Sequence, residues 1–158
     1  MPGILAVPFA ESMMRWILLL PLLLLMACSD PKPPVGKWEG GYDSNGTIVV
    51  ARVEIGANGL VKVSAPDITN LQDAKPEQLA MQRARLAAEL VQIWPDVAPR
   101  PFEFDGKTFR RPGGRAPQMV WDKTSNQMTL QLYFGANPAL PVVLRPVDEF
   151  HDNPFASG

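Results

Sequence analysis

The chain has very little of what metal centres and nucleophile–base sites are made from. Its 158 residues include one Cys and one His. A lone Cys closes no internal disulfide, which excludes a Cys-stapled secreted scaffold. Metal sites usually draw on clusters of His and Cys, so no metal ligand set is expected. There is no Gly-x-Ser-x-Gly, and Gly113-Gly114 lacks the flanking residues of a phosphate-binding loop. The one histidine, His151, sits beside Asp152 near the C-terminus and would have to fold back onto a Ser or Thr to serve as a base. Asp148-Glu149 reads as a solubilising pair. No catalytic residue is assigned. Neither sign of charge is in excess: Lys plus Arg number 15, Asp plus Glu 16. Such a balance creates no field that would steer the molecule onto nucleic acid, and no nucleic-acid partner is expected. Nor is there a long apolar run. Residues 16–25 supply about ten apolar positions, where a bilayer-spanning helix needs roughly 20.

What is there begins with that short run. Arg15 precedes it, and the pair has the charge and length of a secretory signal peptide. The run ends in Leu25-Met26-Ala27-Cys28, and the only cysteine of the chain stands last. This segment resembles the lipobox of bacterial lipoprotein precursors, a resemblance confined to residues 14–29. It implies that the Cys28 thiol receives a diacylglycerol group, that signal peptidase II cuts after the small Ala27, and that the new amino terminus is N-acylated. Each buried acyl methylene contributes about 0.8 kcal/mol, and two chains hold a protein stably on a membrane without a spanning helix. The covalent lipid is the one non-protein group expected; no cofactor is. In that family Asp directly after the cysteine often favours the inner membrane. Ser29 holds that place here, which points to the outer membrane facing the periplasm. Thirteen residues precede Met14, Glu11 among them, so translation is expected to start at Met13 or Met14.

Residues 28–35 then read as the lipidated Cys28 and a proline-rich tether, and residues 36–147 as one domain. Asn45-Gly46, Asn58-Gly59 and Asp105-Gly106 are dipeptides that suit tight hairpin turns. Around them Val49, Ala51, Val53 and Ile55, then Val61, Val63 and Ala65, alternate with polar or outward residues, the period of strands. Met128, Leu130, Leu132 and Phe134 repeat that period later in the chain. Gly40-Gly41 marks a weak point or bulge in the first strand. Leu79, Leu86, Leu90 and Ile93 form one stripe of an amphipathic helix over residues 76–94, with Asp73 a candidate cap and Pro95 a stop. The expected fold is mainly β or α+β: an antiparallel meander of about eight short strands, curled or closed to a small half-barrel, with one inserted helix. Residues 148–158 read as a polar tail.

Two constellations stand out. Gly36-Lys37-Trp38 opening the first strand, with Arg145 in the last, resembles the Gly-x-Trp of lipocalin-type barrels. There a late arginine lies over the tryptophan and helps close the barrel. Arg110, Arg111 and Arg115 surround Pro112-Gly113-Gly114, and guanidinium groups on such a loop can grip carboxylate or phosphate bidentately. The leading expectation is an envelope lipoprotein, bound to the membrane through its lipid, that binds or assembles rather than catalyses. Its partner would be an envelope protein, a lipid headgroup or peptidoglycan. A lipocalin-like carrier of a small apolar ligand and an atypical hydrolase remain as alternatives.

Overall fold

In a computed structural model, residues 30–116, 118–134 and 138–157 are described. Cys28 and the leader before it lie outside them. Asn45 and Gly46 both take positive φ, 50° and 75°, as a two-residue hairpin turn requires, and they fold β1 (Gly36–Ser44) back onto β2 (Thr47–Ile55). Then follow β3 (Val61–Ser64), β4 (Ile68–Asn70), the helix α1 (Pro76–Ile93) and a 3-10 turn, Trp94–Asp96. The second half contributes β5 (Glu103–Phe104), β6 (Thr108–Arg110), β7 (Met119–Asp122), β8 (Gln127–Leu132) and β9 (Leu140–Val147). A last 3-10 turn covers Pro154–Ser157.

The strands make one antiparallel sheet in the order β3-β2-β1-β9-β8-β7-β6-β5, with β4 added to β2. The result is the expected curled half-barrel, with a single α-helix among the described residues. Residues 31–158 form it as one compact unit. Its two edges approach at a single point, where Val61 and Arg100 exchange both backbone hydrogen bonds at 2.8 Å. Beyond that pair no further bridge joins the two edges among the described residues.

The concave face is filled by side chains. Trp38, Val53, Ile55, Phe109, Met119, Met128, Leu130 and Leu144 belong to one buried cluster. Val53, Ile55, Met128 and Leu130 are among those the alternation pointed inward. The indole of Trp38 donates its N–H to the Asn126 carbonyl at 2.8 Å, so the largest core residue also has its polar atom satisfied. Strand β2 is buried on both faces. Ile48 and Val50, on its outer side, pack under Leu86 and Leu90 of α1, with Leu79 and Phe155 alongside. Fully burying a side chain of this size contributes about 1.5–3 kcal/mol, which is why the helical stripe settles there.

Several local expectations are corrected. Asp73 has φ 61° and lies before the helix. Lys75 holds the cap position, and its amide donates to Oε1 of Gln78 at 2.9 Å. β8 ends at Leu132, so Phe134 is exposed beyond the strand rather than inside the core. The β1–β2 register runs unbroken through Gly40 and Gly41, without a bulge. A Cβ on Gly40 would lie 2.5 Å from the Val143 carbonyl oxygen, so close approach of β9 demands the glycine. The proline segment is no free spacer: Pro31 lies against the turn at Gly106 and Pro33 near Gly59.

Candidate functional site

Alternation along β1 sends Trp38 into the core and Glu39 to the outer face. Register then sets Glu39 directly between Arg52 of β2 and Arg145 of β9. Directly opposed residues of an antiparallel pair share a face, so three charges stand in a row across three strands. Glu39 is fully buried and Arg52 nearly so. Arg52 Nε lies 3.4 Å from Glu39 Oε2. A buried pair of this kind needs further hydrogen bonds to offset its desolvation, and the C-terminal segment supplies them. The His151 amide donates to both Glu39 oxygens at 3.2 Å, and His151 Nδ1 meets Oε1. Arg52 Nη2 in turn donates to the His151 carbonyl.

The expected polar tail is therefore corrected to a strap laid over the outer face. His151 does fold back, and it meets the Glu39 carboxylate. Phe150 sits 4.8 Å from the Arg52 guanidinium and meets Trp94 edge-on, centroids 4.9 Å apart. Lys62 Nζ lies over the Trp94 ring, 4.7 Å from its centroid. Lys37 binds Glu149 at 2.8 Å, and that hydrogen bond, with the nearby charges of Glu149, Glu54 and Asp148, raises the lysine pKa. Pro154 is buried, and Phe155 presses on Gly41, where a Cβ would come within 2.3 Å of the ring.

The expected stacking of Arg145 on Trp38 does not form. Trp38 is paired with Pro146 and points inward, while Arg145 is paired with Glu39 and points outward. The one-residue offset puts the two side chains on opposite faces. Arg145 instead lines an outer groove of about 520 Å³ with Glu39, Asp43, Arg83 and Phe155. Across it Arg83 forms an ion pair with Asp43.

The arginine loop is also divided. Arg110 turns to Asp105 at 2.9 Å. The Thr108 hydroxyl and the Thr108 and Lys107 amides also donate to that carboxylate and, with Arg110, hold it well below the usual range. Asp122 is lowered in a similar way by the Ser125 hydroxyl and the Thr124 amide. Arg111 is fixed by Gln118 Oε1 at 3.0 Å and faces the open seam of the sheet, and Arg115 is exposed. At the seam Arg111 joins Arg100, Val63, Val97, Phe102 and Pro112 around a second groove of about 620 Å³. Arg100 carried no sequence signal, because only the meeting of the two sheet edges brings it to Arg111. Among the described residues, no three His, Cys, Asp or Glu side chains are grouped to hold a metal ion, and no helix is long and apolar enough to cross a membrane.

No protein-family model, curated protein or solved structure matches this chain.

Proposed function

We propose that this chain is an envelope lipoprotein, anchored through acyl groups on Cys28, whose β domain recognises another molecule without transforming it. The observation that carries this reading is the occupied interior. Trp38, Phe109, Met119 and Met128 fill the concave face where a carrier of apolar ligands would keep its cavity. Recognition is left to the groove at the open seam and the groove on the outer face. The charged cluster there is consumed in holding the C-terminal strap, which favours a structural over a catalytic role for His151 and Glu39. The Leu25-Met26-Ala27-Cys28 sequence supports the anchor.

The test is photo-crosslinking in intact cells, with a photoreactive residue placed in turn at Phe102 in the seam and at the exposed Val143 in the outer groove. The reading expects a discrete crosslinked envelope component from at least one position. It also expects loss of that product when Cys28→Ala removes the anchor. Absence of any crosslink from both positions contradicts it.

A further inference from the structure

Among the described residues, the seam of the half-barrel has an unpaired edge. The Val61 amide and carbonyl both point at Arg100, each in a 2.8 Å bond. Backbone groups of a strand change sides at every residue, so those of Val63 point to the same edge. Continuing the antiparallel run would bring Ala98 opposite Val63, but the chain has already turned away. The Val97 amide bonds to the Trp94 carbonyl at 3.2 Å, and no second bridge joins the two segments among the described residues. An open strand edge is a template for another extended chain.

The surroundings narrow the occupant. Val63, Val97, Ala98, Phe102 and Pro112 give the groove an apolar wall that could receive a side chain, and its roughly 620 Å³ lies in the range of binding pockets. Arg100 and Arg111 stand at it against one acid, Asp96, leaving an excess positive charge. The hydrogen bond to Gln118 fixes Arg111 Nε, which orients its guanidinium fork. Planar guanidinium groups match a carboxylate. A hydrocarbon chain could use the wall, but it would leave the amide and carbonyl of Val63 without a partner.

We propose that the seam groove binds the carboxyl-terminal end of a partner polypeptide: an extended segment added to the edge of β3, an apolar side chain in the pocket, and its terminal carboxylate on Arg100 and Arg111. This rests on the reading of the domain as a recognition module and names its partner class. Strand addition supplies affinity through the main chain, and the pocket and arginines supply selectivity.

The test is selection of random decapeptides displayed with free C-termini against the purified full-length chain, followed by fluorescence anisotropy with the enriched sequences. Enriched peptides should end in an apolar residue. Converting their carboxylate to an amide should weaken binding about tenfold or more, the size expected for a charge-assisted pair. Val63→Pro, which removes the edge N–H at a position where an edge strand tolerates proline, should weaken it similarly. Arg100→Glu with Arg111→Glu, which leaves the backbone untouched, gives a second reading if Val63→Pro fails to fold. No enrichment, or enriched peptides that bind as tightly when amidated and bind the arginine variant as well as the wild type, overturns the proposal. So does saturable binding of laurate with no peptide selected. That failure leaves the anchored recognition module standing if the cellular crosslinks persist, whereas peptide binding without any cellular crosslink tells against the module alone.

Discussion

The inner and outer faces of the same sheet are organised by different physics. Inside, apolar side chains from seven strands meet one another, and each strand needs only the right alternation to contribute. Outside, Glu39 and Arg52 are buried charges that cannot be left to one another. They recruit a segment more than 90 residues further along the chain, the |i−j| separations being 112 and 99. Burial of oil is local in its sequence requirements, while burial of charge is satisfied from wherever a donor can be brought.

The contrast can be broken by substitution. Trp38→Ala on the inner face should cost about 3–5 kcal/mol in denaturant unfolding, through lost burial and a cavity. A loss under about 1 kcal/mol would mean that the interior collapses freely and is not tightly packed. On the outer face, Arg52→Met should cost about 3 kcal/mol, because Glu39 is left charged and buried. Glu39→Gln combined with Arg52→Met should recover a large part of that loss, since neither charge then remains. Strict additivity of the two single effects would show that the pair is not coupled. Gly41→Ala should cost about 1–3 kcal/mol by forcing the Phe155 ring from its seat. The same change should be much milder beside Phe155→Ala, and an equal cost in both backgrounds would detach the strap from Gly41. The smallest effect belongs to Asp105. The folded state keeps this carboxyl ionised to lower pH than the unfolded chain does, so its contribution is fully present above about pH 4 and fades as the pH falls below that. Melting temperature measured from pH 5 to pH 2 should therefore fall less steeply for Asp105→Asn than for the wild type.

The same division explains what the sequence disclosed. Met128 and Leu130 could be assigned inward from period two alone, and Leu86 and Leu90 from helical spacing, because each depends on its own neighbours. The Asn45-Gly46 turn was visible because few dipeptides enter positive φ so readily. β4 escaped notice: three residues are too short to show a period. Arg145 was misplaced by one register step, and register belongs to two strands rather than one. In composition the strap is a polar tail, because His151 and Glu149 are polar and their partners Glu39 and Lys37 lie at the opposite end of the domain's sequence. At the seam, Arg111 stood out within its arginine cluster, while Arg100 and the free edge of Val63 follow only from how far the sheet curls.

Everything proposed about where the protein lives depends on a thioether at Cys28, and growth in labelled palmitate reads it most directly. Label should co-migrate with the wild-type chain and vanish in Cys28→Ala. An unlabelled wild type, or equal label in both, would contradict the anchored reading outright.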